Sequence, residues 1–216
     1  VTGGQRIDLL GIRKEDLPGV WKDLDMPSGH AYGKSIRTVK TCVGSEFCRF
    51  GTQNSTQMGI DLEHALFNMW SPHKVKLAVS GCPRNCAESG IKDVGIIGVD
   101  SGWELYIGGN GGIKTEAGEF FVKVKSAEEV MEYSLAFLQL YREEAFYLER
   151  TVHYLQRVGM DHIKQAVLND AERREALHQR LLFSLSFEQD PWQEQLSKPQ
   201  LKKEFDRIAV KQLENA

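Results

Sequence analysis

The feature that most constrains this chain is the placement of its four cysteines, which fall as two close pairs, Cys42-x5-Cys48 and Cys82-x3-Cys86. Each pair is set among glycine, proline and polar residues, in "TCVGSEFCRFG" and "SGCPRNCAESG", and not on the apolar face of a helix. Two such loops can bring four thiolates around one soft metal centre, the ligand set that an iron-sulfur cubane requires. Zinc competes for the same donors. Structural zinc knuckles are usually tighter than a five-residue gap, so the first pair disfavours zinc and the second is neutral. Inert buried thiols are the third reading. Without secretory features, the clustering favours metal or redox chemistry over a disulfide framework and leads to an expectation of a cytoplasmic protein.

A chain of 216 residues has room for one sizeable core with a smaller appendage. No apolar run approaches the roughly 20 residues that cross a bilayer, so no membrane association is expected. The net charge of -3 gives no overall reason to expect nucleic acid, although local basic clusters can still hold a small anion. The opening "VTGGQRIDLLG" lacks an initiator methionine, a basic n-region and an apolar h-region. It is expected to be the start of a fragment, without a signal peptide.

Alternation of Ile7 and Leu9 predicts a strand over 5–10, and "KEDLPGVWKDLD" a short helix or turn-helix broken by Pro18 and Gly19. "MPSGHAYGKS" reads as a loop, "IRTVKTC" as a strand delivering Cys42, and Ser55 to Trp70 as a helix. "KVKLAVSGC", "DVGIIGVD", "WELYIGG" and "EFFVKVKS" read as further strands. The "GGNGG" run holding Gly109 and Asn110 is either a backbone that lets a ligand approach closely or a flexible hairpin. Ser126 with Glu129 forms a capping-box pattern opening one or two long helices that Gly159 stops, and Asp161 is a candidate cap for the next. The charged stretch 171–216 is expected to be a peripheral helical tail or docking segment.

Taken together, "TCVGSEFCRFG" and "KVKLAVSGCPRNCAESGIKDVGIIG" resemble the sirohaem and 4Fe-4S domain of the nitrite and sulfite reductase family, whose signature is C-x5-C, a long gap, then S-G-C-P-x-x-C. The resemblance runs from about Ile36 to the helices near Gly159; "DPWQEQL" and "KPQLKKEFDRI" look most like the large subunit of the family's NAD(P)H-dependent bacterial branch. It implies an α+β fold: a mixed or antiparallel sheet with covering helices. The implied organisation is the end of a ferredoxin-like half-domain at 1–33, the cofactor domain at 34–170 and the charged tail at 171–216.

The resemblance also implies that Cys42, Cys48, Cys82 and Cys86 ligate a 4Fe-4S cluster, with Cys86 shared with the iron of sirohaem. The reaction implied is six-electron reduction of nitrite to ammonium, with sulfite as the neighbouring substrate and a bare electron-transfer module as the alternative. FAD and NAD(P)H would sit on upstream domains outside this chain, and a small reductase subunit or a second copy of the chain are the partners it leaves open.

Both nitrite and the carboxylates of sirohaem call for cations. Arg6, Arg37 and Lys40 are the leading anion-binding candidates, and Arg49, Lys74, Lys76 and Arg84 are further ones. For any single one of them, solvated surface charge is the commoner reading. On a strand, Arg37 and Lys40 face opposite sides. Gln53 and Asn54 are candidates for hydrogen bonds to a sirohaem carboxylate, or simple turn formers. Only one copy of the family's half-domain and cofactor-domain pair is visible, so the rest of the anion pocket is expected from a second subunit or from upstream residues. His30, His64, His73, His153, His162 and His178 form no i, i+4 pair and read as structural or surface residues, with His73 a candidate proton donor. Trp70 and Trp103 are expected in the core.

Overall fold

The computed structural model describes residues 1–28, 33–198, 200 and 205. It divides into two compact units, residues 1–28 with 189–216, and residues 29–188. His30 and most of the final segment after 200 lie outside the described residues, as does part of the loop expected at 26–35.

In the small unit, α1 (Leu17–Leu24) has Pro18 in its first turn, where a missing N–H costs nothing, and ends on Asp25 in the left-handed region. Asp190 caps α8 (Pro191–Ser197) by accepting from the N–H groups of Trp192 and Gln193, and its other oxygen accepts from Ser28 N–H at 2.7 Å. Trp21 stacks on Trp192 with centroids 5.4 Å apart, and Phe205 meets Trp21 edge-on. The strand expected over 5–10 is not formed: Ile7 and Leu10 are exposed, and backbone bonds tie Thr2 to Gln5 and Arg6 as a turn. Alternation alone makes no strand without a neighbouring strand to pair with.

In the large unit a five-stranded sheet runs in the order β1-β2-β3-β4-β7. β1 (Lys40–Thr41), β2 (Leu77–Ser80) and β3 (Val94–Val99) are mutually parallel, whereas β4 (Gly102–Ile107) and β7 (Glu119–Val124) are antiparallel neighbours. The sheet is therefore mixed. All four residues of β2 are buried, as expected for a central parallel strand. The strand expected at "IRTVKTC" shrinks to two residues plus isolated bridges from Ser35 and Ile36, because Val39 N–H donates to the Glu63 carboxylate at 2.7 Å. The "GGNGG" run lies at the turn into a small hairpin, β5 (Asn110–Gly111) with β6 (Thr115–Glu116).

Helices cover this sheet. The cysteine loop includes α2 (Gly44–Phe47), a single turn, and is followed by α3 (Ser55–Leu66), which buries Met58, Leu62 and Leu66. The predicted capping box is present at the start of α4 (Ala127–Glu144), which buries an unbroken run from Ser134 to Tyr141. α5 (Thr151–Val158) ends at Gly159, whose φ of +83° suits glycine. α6 (Met160–Lys164) passes into a π turn over Gln165–Asn169. Asp161 sits inside α6 and does not cap it; Asp170 caps the next helix instead, accepting from Arg173 N–H. That helix, α7 (Ala171–Leu185), is no peripheral tail: Leu177 and Leu181 are fully buried in the main core. Trp103 is buried as expected, whereas Trp70 is half exposed on the rim beside Gly33.

Candidate metal and cofactor site

β1 and β2 run parallel and side by side, so the loops leaving their C-terminal ends, one carrying Cys42 and Cys48 and the other Cys82 and Cys86, leave the sheet together. The junction between the loops is close. Gly81 N–H donates to Cys42 Sγ at 3.1 Å, and Gly81 C=O accepts from Thr52 N–H, Gln53 N–H and the Thr52 hydroxyl at 2.8, 3.0 and 3.0 Å. A Cβ on Gly81 would stand 2.8 Å from both Gln53 O and Gly44 Cα. Within the first loop, Gly51 is tighter still, with a Cβ 2.4 Å from Ser45 N. These glycines let two backbones touch, which side chains would prevent.

All four thiols are free. Cys82 is buried, Cys42 and Cys48 are half-buried, and Cys86 is exposed. Burial raises the Cys42 pKa, but the Ser55 hydroxyl at 3.2 Å and the backbone N–H groups of Gly81 and Gly44 outweigh it, and the net shift is downward, toward thiolate. Ser55 Oγ also lies 2.8 Å from Cys42 C=O, so the first residue of α3 touches both the side chain and the backbone of this cysteine. The second loop is shaped by two non-glycine residues in the left-handed region, Asn85 (φ 57°) and Glu88 (φ 60°), on either side of Cys86. Asn85 Oδ1 accepts from Gly90 N–H at 3.1 Å, and Ser80 Oγ is within 2.9 Å of Ser89 Oγ.

The candidate polar residues are placed as follows. Arg49 lies over the Phe50 ring at 4.5 Å and Arg84 at 3.8 Å, so one aromatic ring joins the two cysteine loops. Gln53 Nε2 donates to Val99 C=O at 2.9 Å, while Asn54 caps α3 by accepting from Gln57 N–H. Lys40 pairs with Glu88 at 3.2 Å, and Lys92 reaches the same carboxylate oxygen at 2.9 Å. Arg37 donates to Gly33 C=O at 3.0 Å. Gly109 N–H donates to Lys92 C=O, and the Asn110 amide closes the small hairpin on Lys114 C=O. Arg6 belongs to the small unit, where its N–H donates to the Thr2 hydroxyl.

His73 Nδ1 accepts from Lys74 N–H at 2.7 Å; burial, then the charges of Arg150 and Lys74, hold its pKa below the usual histidine value. It is therefore neutral near pH 7. Burial, then Lys74 and Lys92, likewise lower Lys76. Sequence reasoning missed the hub beneath this basic strip. Buried Asp93 accepts from Arg150 Nη2 at 3.0 Å on both oxygens, from Thr151 Oγ1 and from Lys76 N–H, tying β2, β3 and α5 together. It also missed Ser55, Glu88 and Lys92, because their roles depend on which loops meet in space.

Among the described residues no group of three or more His, Cys, Asp or Glu side chains is already set to hold a metal ion. The donor chemistry nonetheless suits a thiolate-ligated cluster: four unpaired cysteines stand on two loops that already hydrogen-bond to each other. No helix among the described residues is long and apolar enough to cross a membrane.

Comparison with known proteins matches residues 32–175 to the model of the nitrite and sulphite reductase 4Fe-4S domain. The chain is 61% identical over 211 residues to the NAD(P)H nitrite reductase of Bacillus subtilis, covering 97% of this chain and 26% of that protein. It is 42% identical to the NAD(P)H nitrite reductase large subunit of Klebsiella oxytoca, covering 93% and 22%. It is 34% identical to an assimilatory-type sulfite reductase of Nitratidesulfovibrio vulgaris, covering 78% and 77%. The chain thus spans about a quarter of the length of the nitrite reductases it matches. Among solved structures, the Mycobacterium tuberculosis NirA protein superposes with a TM-score of 0.61 at 19% identity, over 78% of this chain and 32% of that one. This likeness speaks to the fold alone.

Proposed function

Because the chain belongs to the nitrite and sulphite reductase 4Fe-4S domain family, we propose that it is the sirohaem and iron-sulfur part of an NAD(P)H-dependent nitrite reductase, reducing nitrite to ammonium. The observation that carries this reading is the hydrogen bond from Gly81 to Cys42 Sγ, which joins the two cysteine loops. When bound, a 4Fe-4S cluster coupled to sirohaem supplies an electron store beside a substrate-binding iron, which a six-electron reduction needs.

The chain's own residues do the rest. Cys42, Cys48, Cys82 and Cys86 would hold the cluster, and the exposed Cys86 would also serve the sirohaem. The N–H of Gly81 donates to Cys42 Sγ and so favours the thiolate form that would bind metal. Arg49, Gln53, Asn54, Gly109 and Asn110 remain candidates for contacts to the tetrapyrrole. Arg6, Arg37 and Lys40 are candidates for drawing in nitrite and for supplying positive charge as its oxygens leave as water. Electrons arrive from NAD(P)H through FAD on upstream domains, in the cytoplasm; a small reductase subunit or a second copy of the chain completes the assembly.

The assimilatory-type sulfite reductase relative supports sulfite as the second substrate to test. The test is anaerobic reconstitution with iron, sulfide and sirohaem, followed by absorption spectroscopy and single-turnover reduction of nitrite and sulfite with an artificial reductant. Soret and red-region bands with nitrite consumption are expected. Replacing Cys86 with serine should remove both chromophores, whereas Cys42→Ser should remove chiefly the cluster. A wild-type sample that takes up neither iron nor pigment refutes the proposal.

A further inference from the structure

Lys40, a candidate for drawing in nitrite, is also one half of an ion pair that joins the two cysteine loops. Lys40 lies two residues before Cys42 on the strand that delivers it, and Glu88 two residues after Cys86 in a left-handed turn. Their side chains meet at 3.2 Å, and Lys92 approaches the same oxygen, Oε2, at 2.9 Å. The lysines are well covered, 19% and 10% exposed, and the carboxylate is 55% exposed. Two shielded cations therefore share one anion, and Lys40 and Glu88 each stand two residues from a cysteine. Adding one electron to a cubane held by four thiolates deepens its negative charge by one unit, which nearby cations favour and nearby anions oppose.

We infer that Glu88 is a positioning and tuning residue: by sharing its carboxylate between Lys40 and Lys92, it offsets their field and lowers the reduction potential of the cluster held by the adjacent cysteines. This inference rests on the four cysteines holding a cluster. The unequal shielding sets its direction. Removing the carboxylate leaves two partly buried cations uncompensated, and removing one lysine leaves the anion with a single partner. Glutamine keeps the length and hydrogen-bonding of Glu88 without its charge. A purely structural role for the bridge would make every substitution act in the same direction, through loosening of the loops.

The test is a mediated potentiometric titration of the reconstituted 216-residue chain, read by electron paramagnetic resonance of the reduced cluster, with iron and sulfide measured on each sample. Glu88→Gln should shift the potential upward, Lys40→Gln downward, and the double variant back toward wild type. Equal potentials in fully loaded wild type and variants overturn the inference while leaving the ligand assignment intact. Wild type that loads no iron and sulfide overturns both. If Glu88→Gln fails to load, Lys40→Gln and Lys92→Gln decide: both must lower the potential, and an upward or absent shift overturns the inference.

Discussion

Gly44 and Gly51 show how much of the site rests on missing side chains. Gly44 has a φ of +62° and would put a Cβ 2.7 Å from Ser55 N; Gly51 would put one 2.5 Å from the carbonyl carbon of Gly44. Backbone cannot move aside as the tip of a flexible side chain can. Gly51→Ala should therefore cost about 1–3 kcal/mol, the range for overpacking a tight contact, and should loosen the turn after Cys48. Urea denaturation of the metal-free chain measures it; an unchanged midpoint would show that this turn is not so closely packed. The cysteines and these glycines stand out in the sequence, because their spacing and small size are visible there. Lys40 illustrates the opposite case. Its alternation with Arg37 along an extended strand does not develop, and the partner it finds, Glu88, lies in the other loop.

Among the elements, the strands and helices around the cysteines follow from local pattern, because each has a buried face and a clear stop. The capping box at Ser126 was readable from four residues; Ser126→Ala should cost about 1 kcal/mol of stability. Two assignments fail for reasons of tertiary partnership. Residues 5–10 alternate without a strand to pair with, and residues 171–185 look too charged for core. α7 nevertheless buries a narrow stripe while Arg180 pairs with Glu143 and Arg174 with Glu132 on α4. Leu181→Ala should therefore destabilise the large unit by about 2–5 kcal/mol in a denaturation experiment, as expected for an emptied core site. A cost near zero would mean that α7 is dispensable.

For the whole molecule, paired carboxylates on the α4 side contribute to the response to acid. Hydrogen bonds from Arg157 hold the Glu149 pKa below the usual carboxylate range, and those from Arg180 do the same for Glu143. Each group binds its proton more weakly folded than unfolded. Its contribution to stability is complete above the unfolded value of about 4.3 and is lost as pH falls through the lower folded value. Melting temperature should fall across that window, and Glu143→Gln with Glu149→Gln should flatten the fall; an unaltered slope would assign the acid response elsewhere.

The central claim is that thiolates from two loops hold one iron-sulfur cluster, and its most direct test is quantitative iron and acid-labile sulfide analysis of the anaerobically reconstituted chain. Four of each per chain are expected, with uptake abolished by Cys82→Ser. Tight zinc binding in place of iron, or no metal at all in folded protein, would contradict it.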